Sequence, residues 1–306
     1  MNAGMHLLYF GLNNNYSVEP RAGIRWQFNP RQSISAGFGV HSRVETLSIY
    51  LANGMDDYGT IFPQQNRDLG LMKSRHFVLG YDNFFTEDLY FKAEIYYQQL
   101  FDVPIEPGDS SVYSILNQND WYTTRRLAND GKGYNYGIEL TLEKYFSKSY
   151  YFMVTTSLFN SKYLAGDGEW RNTAYNSGYV LNLLGGKEFR IGKASKNRTL
   201  TLSAKGSWAG GHYYSPVDEE ASRQAKFTVI DESDYLGIKA DDFIRFDIKA
   251  SLRRDRPRSA HILELDIQNV TNNLNPVGRY YDVYTDEVTT WTSAGMIPVL
   301  SYRIEF

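Results

Sequence analysis

The side chains able to do chemistry are scattered through this sequence. Its five histidines fall in no HExxH pattern and at no metal-ligand spacing. His261 and Glu264 are an odd number of positions apart, so on a strand they point to opposite faces. With no cysteine, thiol nucleophiles, zinc and iron–sulfur clusters and disulfide frameworks are excluded. No Walker loop, GxGxxG, GxSxG or EF-hand pattern occurs. Arg253-Arg254-Asp255-Arg256-Pro257-Arg258 has the composition of a nucleic-acid patch, but it reads better as solvated charge in a short turn. The net charge of −3 also lacks a nucleic-acid binder's positive footprint. Asn197-Arg198-Thr199 and Asn269-Val270-Thr271 match the glycosylation sequon in form only. No catalytic residue, metal site or cofactor is expected.

Recognition chemistry is better represented. Aromatic residues stand in segments rich in turn formers: Trp121, Tyr122, Trp170, Tyr175, Tyr213, Tyr214, Tyr280, Tyr281 and Trp291. Such rings are platforms for sugars, peptides or chelates, and they serve equally to pack loops together or to sit at an interface. A second set is charged and alternates with apolar residues: Glu19, Arg21, Arg25, Lys92, Glu94, Glu139, Glu143, Lys205, Arg245, Asp247, Lys249, Arg303 and Glu305. These side chains can bind substrate, solvate a wide lumen or dock another domain. The lumen and docking roles are the expectation.

The elements that must position both sets have a period of two. From Gly133 to Phe146, Tyr134, Tyr136, Ile138, Leu140 and Leu142 alternate with Asn135, Gly137, Glu139, Thr141 and Glu143. About twelve strands follow from the same reading, near 2–10, 17–28, 32–45, 69–83, 89–103, 133–146, 150–163, 177–192, 198–210, 241–253, 260–271 and 295–306. A bulge is expected at Gly185-Gly186, with Lys187 on the apolar face. One or two helical turns are expected over 218–224. Short turns rich in Pro, Asn, Asp and Ser alternate with long loops at about 46–68, 104–132, 163–176, 211–240 and 272–294. Long loops gathered at one end are the pattern of a transmembrane β-barrel.

Of the 306 residues, 15% are aromatic, led by 25 tyrosines, and mean hydropathy is −0.46. No run of about 18 apolar residues exists to form a spanning helix, and the start of the chain does not read as a signal peptide. Tyrosine suits girdles where lipid meets water. Half of each strand facing a wet lumen accounts for the negative hydropathy. An Arg or Lys on the lipid face costs roughly 2–4 kcal/mol at the midplane. On the strands near 18–28, 89–99, 133–146, 199–208 and 244–252 the apolar face carries one charge, Lys144, which lies close enough to a turn to snorkel.

The end of the chain sharpens this. Leu300, Tyr302, Ile304 and Phe306 alternate with Ser301, Arg303 and Glu305, and Phe is last. This resembles the terminal strand of outer-membrane barrels, and the resemblance implies that Tyr302, Ile304 and Phe306 are read by the barrel assembly machinery. Leu263-Glu264-Leu265-Asp266-Ile267-Gln268-Asn269-Val270-Thr271-Asn272 resembles a stretch near the end of TonB-dependent receptors. Tyr16 to Trp26 and Ser33 to Arg43 resemble interior strands of that family. The flavour is nearest to Bacteroidota receptors with an N-terminal carboxypeptidase-like regulatory domain.

The resemblance implies an all-β, antiparallel up-and-down transmembrane barrel. These roughly twelve strands are then the C-terminal portion of a 22-stranded barrel whose plug, TonB box and first strands lie outside the chain. The implied function is ligand capture and energised uptake across a Gram-negative outer membrane. The implied partners are outer-membrane lipid, the receptor's own plug, TonB, the assembly machinery and a surface lipoprotein. Three rivals stay open. A self-contained twelve-stranded pore requires its first and last strands to pair. A barrel hydrolase requires Ser and His together on one outward face. A soluble glycan-binding module requires its apolar faces to pack on each other.

Overall fold

The computed structural model describes residues 1–55, 59–117, 122–193 and 197–306. The alternating segments become twelve long strands. In chain order they are β1 (Asn2–Phe10), β2 (Asn15–Asn29), β3 (Gln32–Arg43), β4 (Met72–Phe84), β5 (Leu89–Ile105), β6 (Ala128–Ser147), β7 (Tyr150–Leu164), β8 (Tyr179–Arg190), β9 (Arg198–Ala209), β10 (Phe243–Arg256), β11 (Ser259–Gln268) and β12 (Ile297–Glu305). Each pairs antiparallel with the next, and a short strand, Trp170–Asn172, adds to β7. Among the described residues β1 and β12 do not pair with each other, so the sheet is open at both edges.

Register carries the alternation across the sheet. Ile24 lies opposite Ala36, Ala36 opposite Leu79, Leu79 opposite Ile95, and Ile95 opposite Ile138. A one-residue slip at any step would turn a strand's apolar set to the other face. The result is one continuous apolar face. Leu79, Ile95, Trp26 and Leu300 are all exposed there. Charges on this face stand near strand ends: Lys73, Arg75, Lys132 and Lys162 toward the long loops, Lys144, Lys187, Arg198, Arg254 and Arg256 toward the short turns. Among the described residues no helix is long and apolar enough to cross a membrane, which says nothing of spanning strands.

Two local expectations change. Gly185-Gly186 forms no bulge, because β8 keeps unbroken register with both β7 and β9. The glycines serve close packing instead: a Cβ on Gly186 would lie 2.8 Å from the Tyr151 ring. Lys144 does not reach for water. It is only 7% exposed, and its ammonium donates to Asp88 at 3.0 Å and to the Ser147 hydroxyl at 2.6 Å. It also lies 4.2 Å from the centroid of the Tyr150 ring. The charge is neutralised within two adjacent turns rather than by solvent.

The long loops hold the buried core. Ile49, Tyr50, Leu69, Val103, Ile115 and Leu127 cluster between the loops after β3 and β5. Tyr163, Ala165 and Leu236 form a second cluster, and Leu116 packs against both. Helix α1 (Leu47–Leu51) supplies Ile49 and Tyr50. Helix α2 (Glu219–Ala225) is capped by the Asp218 carboxylate, which accepts from the Ala221 amide at 2.9 Å. It matches the helical turns expected near 218–224.

Candidate functional site

Two surfaces qualify: the polar face of the sheet and the loop cap at one end. On the polar face the expected charges mostly satisfy one another. Arg21 pairs with Glu19 at 2.8 Å, and Arg25 with Asp82 at 3.7 Å. Glu94 pairs with Lys92 at 2.6 Å, Arg245 with Asp247 at 2.7 Å, and Lys249 with Glu264 at 2.9 Å. Arg303 and Arg253 share Glu305, at 3.3 and 2.8 Å. Among the described residues Glu139, Glu143 and Lys205 have no ion-pair partner, and Glu139 stands directly across from Glu94. Like charges opposite each other on paired strands oppose folding. This part of the wall is therefore suited to a partner that brings positive charge or hydrogen-bond donors.

The described loop aromatics fall into separate packing groups. Trp170 packs against Tyr134 with ring centroids 4.9 Å apart, and Tyr134 stacks on Tyr136. Since Tyr136 belongs to the apolar face, this group is a girdle at the loop end of the strands. Tyr213 and Tyr214 form a two-residue ribbon with Ile238–Lys239, and Tyr213 packs against the second buried cluster. Tyr280 and Trp291 lie in the hairpin of Pro276–Asp282 with Glu287–Thr292, and Trp291 is 65% exposed. Tyr281 is only 4% exposed, and its hydroxyl donates to Asp286. That bond, together with Arg223 at 3.3 Å, holds the Asp286 carboxyl below the usual carboxylate range. Tyr122 and Tyr175 are exposed. Trp121 lies outside the described residues.

A linchpin of the cap carries no signal in sequence spacing. Arg125, in the loop after β5, pairs with Glu106 of its own loop at 2.5 Å. It also pairs with Glu232 of the loop after β9 at 3.0 Å. Its guanidinium lies 4.9 Å from the centroid of the Tyr113 ring. Two loops far apart in the chain are thereby fastened at one cation. The nearest sequence signal is the apolar content around Tyr113, Ile115 and Leu116, which marks a loop with something to bury.

At the far end of the sheet, Tyr302 and Ile304 project on the apolar face and Phe306 is fully exposed. His261 bonds the Tyr302 hydroxyl at 2.6 Å, while Glu264 faces the other way toward Lys249.

Residues 7–293 match the family model described as TonB dependent receptor-like, beta-barrel. Among solved structures, the chain superposes on an outer membrane transporter of Escherichia coli, YddB, with a TM-score of 0.65 and 16% identity. That match covers 98% of this chain and 42% of the other. It is similar to the ferric yersiniabactin uptake receptor of Yersinia pestis, with a TM-score of 0.63 and 12% identity over 96% of this chain and 38% of that one. It is also similar to the ferripyoverdine receptor of the Pseudomonas aeruginosa outer membrane, with a TM-score of 0.62 and 12% identity over 94% and 32%. At such identities the likeness is one of fold. The chain spans less than half the length of each of these structures. No curated protein sequence matches it.

Proposed function

The chain belongs to the TonB-dependent receptor β-barrel family, and on that footing we propose that it is the C-terminal wall of an outer-membrane receptor barrel in a Gram-negative bacterium. The observation that carries this is the open sheet. Twelve strands share one continuous apolar face, yet among the described residues β1 and β12 leave their outer edges unpaired. Unpaired backbone in lipid costs several kcal/mol per group. Preceding strands of the same barrel would close those edges. The same open edges count against a self-contained twelve-stranded pore.

In the whole receptor, the loops capture a scarce ligand. A plug seated against the polar face responds to TonB, and the C-terminal strand is handed to the assembly machinery. The loop aromatics Tyr213, Tyr214, Tyr280 and Trp291 are the ligand contacts to test first. A ferric chelate is the first ligand class to test, because two of the similar structures are named for ferric siderophores. A surface lipoprotein is a further partner of the loop cap.

Two proteins test the reading. One is residues 1–306 behind a secretion signal. The other is the product of the continuous upstream reading frame. Only the longer product should give a detergent-extracted band whose gel mobility shifts on boiling, as closed barrels do. A heat-shifting band from residues 1–306 alone would overturn the part-barrel reading in favour of the pore.

A further inference from the structure

The apolar face is not uniformly filled. Where β8, β9 and β10 meet, a groove of about 550 Å³ opens on it. Its floor is Gly185, Ala204 and Ala250, and its sides are Leu202, Ile248 and Leu265. The register places Gly185 beside Ala204 and Ala204 beside Ile248. One row nearer the turns, Lys187 lies beside Leu202 and Leu202 beside Ala250. The missing side-chain volume therefore forms a channel across adjacent strands.

The turn-side end of the groove is cationic. Lys187 lines it, and its ammonium lies 5.4 Å from the centroid of the Phe189 ring, so the side chain bends toward the turns. Two pairs further on, Arg198 lies opposite Arg254 on the same face. Among the described residues none of these three cations has an ion-pair partner, and the turn ends of β8 to β11 carry no acid on that face. Three unpaired cations below an apolar channel match one chemistry, a negatively charged headgroup attached to an acyl chain.

We propose that this groove is a binding site for an anionic glycerophospholipid of the periplasmic leaflet. The acyl chain lies over Gly185, Ala204 and Ala250, and the phosphate sits among Lys187, Arg198 and Arg254. The proposal rests on the membrane reading above. A second apolar groove, of about 490 Å³, crosses β2, β3 and β4 at Ala22, Ala36 and Leu79. Its turn-side positions on the same face, Phe28 and Asn83, are uncharged, and Arg31 in the adjoining turn donates to the Phe85 carbonyl. It serves as the internal control.

The full-length receptor is purified from mixed micelles holding equal phosphatidylglycerol and phosphatidylcholine, and retained lipid is weighed by native mass spectrometry. Phosphatidylglycerol should be retained preferentially. Lys187→Gln should lower that preference roughly fivefold, the weight of one cation at a membrane surface. Ala250→Phe should abolish the retained lipid by filling the channel, and Ala36→Phe in the control groove should leave the preference unchanged. Equal retention of both lipids, indifference to Lys187→Gln and Ala250→Phe, or a polypeptide retained in place of lipid would each overturn the proposal. Detergent dependence and boiling-shifted mobility are read on the same samples. Release by high salt alone would mean that the membrane reading had failed instead.

Discussion

A single lysine illustrates how a barrel handles charge next to lipid. Lys144 stands on the apolar face but is turned into a cage of Asp88, Ser147 and the ring of Tyr150. The hydroxyls of Ser147 and Thr86, followed by Lys144, hold the Asp88 carboxyl far below its ordinary value. A depressed carboxylate contributes stability that is complete above the unfolded value of about 4. That contribution is lost as pH falls from there toward the folded value. Wild type should therefore outlast Asp88→Asn in a thermal mobility assay at pH 7, and the gap should close progressively below about pH 4. A gap independent of pH would exclude this role for the carboxylate. Lys144 was visible in the sequence as the charge out of place, but its partner was not. Asp88 is 56 residues away in the chain, and only the pairing of Leu89 with Lys144 brings the two turns together. For the same reason the loop aromatics were legible as residue types and not as surfaces. Tyr280 and Tyr281 are neighbours in the chain, yet the first is exposed and the second sealed by Asp286.

At the scale of the element, alternation was the dependable signal, since lipid and water sort the side chains of every strand in turn. It failed where strands leave the bilayer. Strands β5 and β6 run on to Ile105 and back to Ala128, and there a register shift after Leu100 breaks the alternation, so that Leu100, Val103 and Ile105 all enter the cap. Gly131 permits this, because a Cβ there would lie 2.3 Å from the Ile105 side chain. Neighbouring positions in the middle of β6 give a direct test of facing. Leu140→Arg should destabilise the inserted protein by roughly 2–4 kcal/mol, whereas Thr141→Arg should be near neutral. Folding titrations into vesicles measure both, and equal costs would refute the assignment of faces. The loops make a different test. If Arg125 couples them, Arg125→Gln should raise hydrogen exchange in 106–117 and in 228–236 together. Faster exchange in the first segment alone would show that the contact with Glu232 carries no coupling.

At the scale of the molecule, the sheet has order without closure. Its strand order was readable from the chain because each strand bonds only to its neighbours in sequence. The buried cap was not readable, since its clusters join loops separated by whole hairpins, as Asn66 joins Arg125 and Leu127. Membrane barrels invert the usual plan of a soluble domain. Here the sheet lends its apolar face to the solvent, and the hydrophobic core belongs to the loops. Stability should accordingly divide in two, with the wall held by lipid and backbone pairing and the cap held by side-chain packing.

The neighbour-only pairing has a topological consequence. A cut in any short turn, for instance at Lys148-Ser149 between β6 and β7, severs the covalent chain without removing a strand from its place between two partners. The wall is in this sense modular along its circumference. Two polypeptides split at such a turn should find each other through the ladder they share, and extra sequence entering there should leave the order of the strands on either side unchanged.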